Sequence, residues 1–175
     1  MNSQRTVDLR ALLPAGIAIA TILSCRPLPA ATFTWDGGSF TTNNWTDTLN
    51  WNVIGAPDPD GMPVADNVIF GGIIRPAPNV DVNYVVNTVT FNNTASAFTI
   101  GGMSLTVLRT ITNDDTQTQT FTNSVLFPQD ATIAASSGGL TFSQPVTVDK
   151  DAVLTVNGGF ATSIAGFAGA ARVIK

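Results

Sequence analysis

The sequence predicts an all-β protein, built either as the stacked coils of a β-solenoid or as a β-sandwich. Three observations carry that expectation. Short runs alternating apolar residues with Thr, Ser or Asn recur from Val85 to Gly159: VNTVTFNN, AFTIGG, LTVLRTITNDD, TFTNSVLF, GLTFSQPVTV and AVLTVNGG. Alternation with period 2 sends apolar side chains to one face of a sheet and hydroxyls to the other. Nearly every run closes on a turn signal rich in Gly, Asn, Asp or Ser. Finally, all twelve acidic residues are Asp, and the chain has no Glu and only two Lys. Glu and Lys favour helices, whereas Asp and Asn favour turns and caps, so this composition suits strands and turns.

Charge excludes several function classes. Charged residues make up 11% of the 175 residues and the net charge is -4, with no Lys/Arg cluster. Nucleic acid is not an expected partner, because binding it needs cations that displace counterions. The chain has no His. It therefore cannot supply a Ser-His-Asp triad, a Cys-His pair or a His-ligated zinc site by itself.

The amino end, residues 1–31, reads as an export signal. Arg5 and Arg10 precede an apolar stretch of about fourteen residues, Ala11 to Ser24, within the signal-peptide range and short of the roughly 20 residues a membrane span needs. Two processing patterns compete. Leu28-Pro29-Ala30 or Pro29-Ala30-Ala31 fits cleavage after small residues, whereas Ile22-Leu23-Ser24-Cys25 resembles a lipobox that would attach a lipid to Cys25. Cys25 is the only cysteine, so the fold is held without an intramolecular disulfide. The expected location is extracellular or on the cell surface, with an outer-membrane or lipid-anchored variant, and no stable membrane span is expected after cleavage.

Residues 32–84 read as a Trp-rich module. All three tryptophans, Trp35, Trp45 and Trp51, lie here. As surface residues they would stack on sugar rings. As buried residues they would form the core of a small cap, since indoles bury large areas. Asp58, Asp60 and Asp66 are candidate calcium ligands through carboxylate oxygens, although D-x-D-G-x-x-x-x-D lacks the EF-hand spacing. Pro57, Pro59, Gly61 and Pro63 forbid ladder structure between Gly55 and Val64.

The pattern W-D-G-G…N-N-W…N-W…A-P…A-D-x-V-x-F-G-G, from Trp35 to Gly72, resembles the amino-terminal start of bacterial autotransporter-associated β-strand repeat proteins. Val86-Asn87-Thr88-Val89-Thr90-Phe91-Asn92 is similar to that family's "IxxLTFNN" step. The resemblance covers roughly Phe33 to Gly169. It implies export, a right-handed solenoid over residues 85–169 with residues 32–84 as its cap, and no catalytic residues. Ala170 to Lys175 depart from the family's pattern, so residues 170–175 read as a divergent tail and the coils as the first few of a longer, truncated passenger.

Within residues 85–169 the steps from turn to turn vary, and no single strict repeat is legible. Asp114-Asp115 and Asp149-x-Asp151 invite a glycosidase reading, since paired carboxylates do acid/base work. Adjacent aspartates on a turn diverge, so solvated turns are the expectation, and the cations read as too few and too scattered for lyase chemistry. The sequence thus points to a non-enzymatic, structural or adhesive surface segment. Its partners would be surface polysaccharide or other cell-surface proteins. The alternative is a carbohydrate-binding module using Trp35, Trp45 and Trp51.

Overall fold

The computed structural model describes residues 29–53, 55–62, 64–169 and 172–175. Residues 1–28, and with them Cys25 and most of the expected leader, lie outside the described residues.

Strand β1 (Thr32–Trp35) leads through a long crossing segment to β2 (Asp66–Phe70). Coils then follow one another through β3 (Asn79–Val80), β4 (Tyr84–Phe91), β5 (Thr99–Gly102), β6 (Leu105–Asn113), β7 (Gln119–Phe121), β8 (Val125–Phe127) and β9 (Ala131–Ala135). They continue through β10 (Leu140–Phe142), β11 (Val146–Val148), β12 (Val153–Gly158), β13 (Thr162–Ile164), β14 (Phe167–Ala168) and β15 (Arg172–Ile174). Every pairing between these strands is parallel. A sandwich is built from antiparallel sheets, so the fold is a β-solenoid.

Each coil has three faces. The first stacks β1, β2, the second halves of β4 and β6, then β9, β12 and β15. The second stacks β3, β5, β7, β10 and β13. The third stacks the first halves of β4 and β6, then β8, β11 and β14. β4 and β6 each run around a corner, and their mutual register shifts there, between Val86 and Thr88.

From β2 to β14, residues paired across coils lie 20 to 23 positions apart. A regular coil is therefore present, contrary to the expectation of no legible repeat. Turns that gain or lose one or two residues hide it. β2, β3 and Tyr84 already belong to coils, and β15, within the expected tail, pairs with β12.

Inward side chains form continuous rows. One row runs Phe33, Val68, Val89, Ile111, Ile133, Val156, and its neighbour runs Trp35, Phe70, Phe91, Asn113, Ala135, Gly158. On the second face Ile100, Phe121, Phe142 and Ile164 align. The Phe121 and Phe142 rings stack with centroids 5.0 Å apart, and Phe70 stacks on Phe91 at 5.2 Å. Strands of three residues are unstable alone. Stacking lets each coil bury its stripe against its neighbours, and each fully buried Val, Leu, Ile or Phe is worth about 1.5–3 kcal/mol. Close stacking also dictates Gly102, which has φ +98° and whose added Cβ would lie 2.4 Å from the Val80 carbonyl oxygen one coil earlier.

Asn113 interrupts the aromatic row and is completely buried. Its Nδ2 donates to the carbonyls of Gln117 (2.8 Å) and Gly139 (2.9 Å), while its Oδ1 accepts from the Asp115 amide (3.1 Å). Buried polar groups are tolerated when paired in this way.

The crossing segment between β1 and β2 closes the amino end. It touches the free edge of each face in turn. The Trp45 amide donates to the Asn79 carbonyl and the Asn79 amide to that of Asn43, covering β3. The Asp36 amide donates to the Asn50 carbonyl and the Asn52 amide to that of Thr34, covering β1. The Val85 amide donates to the Pro59 carbonyl, covering the third face.

Candidate functional site

The three tryptophans sit inside this cap. Trp35 and Trp45 each lie edge-on to Trp51, with centroids 5.2 and 5.6 Å apart, and both lean on Phe70. Trp51 Nε1 donates to the Trp45 carbonyl at 2.8 Å, and Trp35 Nε1 to that of Arg75 at 3.2 Å. Trp35, Trp45 and Trp51 are 1%, 0% and 4% exposed. Stacking on a sugar needs an open ring face, and none of the three presents one. The indoles are the core of the cap, and the expectation of a tryptophan sugar platform is corrected on that ground.

The neighbouring carboxylates are also engaged. Asp66 Oδ2 accepts from the Asp58 amide (2.9 Å), Asp58 Oδ1 from the Asp60 amide (3.3 Å), and Asp60 Oδ1 from the Met62 amide (2.8 Å). Asp58 and Asp60 shape local turns, Asp66 ties the loop back at Asp58, and among the described residues no three acidic side chains converge as a metal site. The calcium reading of Asp58, Asp60 and Asp66 therefore gains no geometry. Asp47 caps the 3-10 turn Thr48–Asn50. The Ser39 hydroxyl above all, then the Leu49 amide, the Thr42 hydroxyl and the Arg75 charge hold its carboxyl below the usual range, against a smaller opposing effect of desolvation.

Of the two acidic pairs, Asp115 is not solvated. It is buried, and its Oδ1 accepts from the Gln117 amide at 2.7 Å. This carboxylate builds the turn rather than facing a substrate. The other pair enters a groove that the sequence reading missed. Coil stacking brings Arg109, Asp130, Asp149, Lys150 and Asp151 to one corner, around a groove of about 510 Å³. The positions 109, 130 and 150 look scattered until the coil length is known. Two of these acids have structural duties. Asp130 Oδ1 accepts from the Val153 amide at 2.8 Å, and Asp151 pairs with Lys150. The Lys150–Asp151 pair is open to solvent, and such pairs contribute little.

The most extensive regular surface is the outer side of the first face. One outward row reads Thr32, Asn67, Thr88, Thr110, Thr132, Thr155, and the adjacent row reads Thr34, Ile69, Thr90, Thr112, Ala134, Asn157. On the second face Thr99, Thr120, Thr141 and Ser163 align. None of these positions is charged. Parallel strands set the rungs about 4.7–4.9 Å apart, so hydroxyls and methyls repeat at that interval along the rod.

No protein-family model, curated protein or solved structure matches this chain. Among the described residues no helix is long and apolar enough to cross a membrane.

Proposed function

We propose that this chain is a non-enzymatic, exported β-solenoid segment with a structural or adhesive role at a bacterial surface. One observation carries the reading: the uncharged ladder of the first face, five threonines and Asn67 over six rungs from Thr32 to Thr155. A flat array of hydroxyls and methyls suits contact with an extended, uncharged surface such as cell-surface polysaccharide. The absence of His and the engagement of Asp115, Asp130 and Asp151 in turns and an ion pair add support. The resemblance to autotransporter-associated β-strand repeat proteins supports export.

The test is binding of the purified chain to insoluble cellulose, chitin and bacterial sacculi, compared with the variant T110K/T132K. Both positions point outward, and because they are neighbours on adjacent rungs where like charges repel, circular dichroism of the variant is recorded and T110K/T155K, two rungs apart, replaces it if the fold is lost. The wild-type chain is expected to sediment with at least one of these surfaces and the variant to lose most of that binding. If neither protein binds any of them, or both bind equally, the ladder is not the adhesive face.

A further inference from the structure

We infer that the corner groove at Arg109, Asp130 and Asp149 binds one or two units of an uncharged saccharide. This rests on the reading of the chain as a glycan-contacting surface, but it concerns a separate site with its own test. The groove arises from the corner links between the third face and the first. Thr106, Leu126 and Thr147 pair across three rungs of the third face, and Thr110, Thr132 and Thr155 across the same rungs of the first. The links between them are residues 107–109, 127–131 and 148–154. Each link is two residues longer than the one before. The extra length has no room inside the packed core, so it loops outward and leaves a stepped groove of about 510 Å³, within the size range of small-ligand sites. β14 and β15 pair with β11 and β12 beyond it, so the groove lies within the stack.

Its walls are fixed by bonds between rungs, while its polar groups are left to bond a ligand. Gln129 Nε2 donates to the Leu108 carbonyl at 2.9 Å, and Asp130 Oδ1 accepts from the Val153 amide at 2.8 Å. The longest link turns sharply, with the Ala152 amide donating to the Asp149 carbonyl at 3.0 Å. A site whose walls are set before the ligand arrives loses little freedom on binding. Among the described residues the Arg109 guanidinium and the Asp149 carboxylate make no ion pair or side-chain hydrogen bond, and Asp130 uses only Oδ1.

Charge selects the class of ligand. Asp130, Asp149 and Asp151 oppose an anion, and Arg109 and Lys150 oppose a cation. No three acidic side chains among the described residues converge on a metal ion. What remains is a neutral ligand whose groups both donate and accept, as hydroxyls do. A sugar hydroxyl donates to Asp149 or to Asp130 Oδ2, and a neighbouring hydroxyl accepts from Arg109. The place also fits. Arg109, Ala131 and Leu154 directly precede Thr110, Thr132 and Thr155 of the outward row, so a glycan lying along that row meets the groove at its side.

Nuclear magnetic resonance of the isotope-labelled chain, titrated with cellobiose, xylobiose, mannobiose and di-N-acetylchitobiose, tests the proposal. At least one of these is expected to give saturable shifts centred on the amides of residues 109, 129–130 and 150–152. Arg109→Gln and Asp149→Asn should each weaken that binding by about tenfold or more, while Thr120→Lys on the second face leaves it unchanged. Arg109 and Asp149 are exposed, and the amide spectrum of each variant reports its fold. Absence of saturable shifts with all four sugars overturns the proposal. So do shifts given only by charged disaccharides, digalacturonate or the glucosamine dimer, and so do shifts that both groove variants retain at full strength. Sedimentation on cellulose, chitin and sacculi reads the threonine ladder instead, so a failed titration with sedimentation intact overturns the groove alone.

Discussion

At the amino end of the rod the strand edges of all three faces meet backbone from the crossing segment, at Asn43–Trp45, Asn50–Asn52 and Pro59. At the carboxyl end β13, β14 and β15 are largely exposed. The inward rows that start at Phe33, Tyr84 and Ile100 reach Val156, Phe167 and Ile164, beside open grooves. In a solenoid each coil is stabilised by its neighbours alone. Among the described residues, one end is faced by a segment that is not a coil, and the last described rung by no further rung. A compact aromatic cluster thus substitutes for a rung.

The sharpest way to break this contrast is Trp45→Ala. Removing a fully buried indole is expected to cost about 3–5 kcal/mol, measured by denaturant unfolding, with hydrogen exchange in β1 to β4 accelerating. Asn113→Ala, in the middle of the rod, comes next. It leaves the buried Asp115 amide without its acceptor and removes the amide that ties the Gln117 and Gly139 carbonyls together, and is expected to cost about 1–3 kcal/mol.

A third effect comes from Tyr84, whose buried hydroxyl has no hydrogen-bond partner among the described residues. Desolvation, with Asp81 and Asp58 nearby, pushes its ionisation up. The unfolded phenol ionises near pH 10, the folded one only above that. Stability is therefore full below about pH 10 and falls by up to about 1.4 kcal/mol per pH unit above it. Tyr84→Phe should abolish this term of the alkaline decline without loss of stability at pH 7, as melts across pH would record. The smallest effect is expected at the open end, where Phe167→Ala should change stability by no more than about 0.5 kcal/mol. If Phe167→Ala costs as much as Trp45→Ala, the contrast between the ends fails.

Much of this was legible in the sequence. Alternation such as Val89-Thr90-Phe91, Leu140-Thr141-Phe142 and Val146-Thr147-Val148 marked the strands, and Gly101-Gly102 and Asn113-Asp114-Asp115 marked turns. The coil length was not legible, for a physical reason. Inward positions accept any residue of suitable volume, so Val89, Ile111 and Ile133 share a row without sharing a motif, and turn lengths vary between them. Because the coil length was hidden, Arg109, Asp130 and Lys150 looked scattered and their common corner could not be found. The tryptophans posed a different problem. An indole serves a core or a ligand equally well in sequence, and only the closed cap around Trp45 decides between them. Asp115 misled because adjacent aspartates on a turn suggest solvent, while its carboxylate folds back to the Gln117 amide.

Asn113 has a consequence beyond its contribution to stability. A rod of nearly equal coils is exposed to slippage by one whole coil, which would keep most apolar rows apolar and most ladder bonds intact. Such a slip would carry Asn113 away from Gly139 and take from its buried side-chain amide one of two acceptors. A single polar residue in an otherwise apolar row thereby distinguishes one alignment from its near-equivalents, as a lone buried Asn does in a coiled coil. Filling the row with Leu at position 113 would be expected to yield a chain that still builds coils but no longer settles on one register.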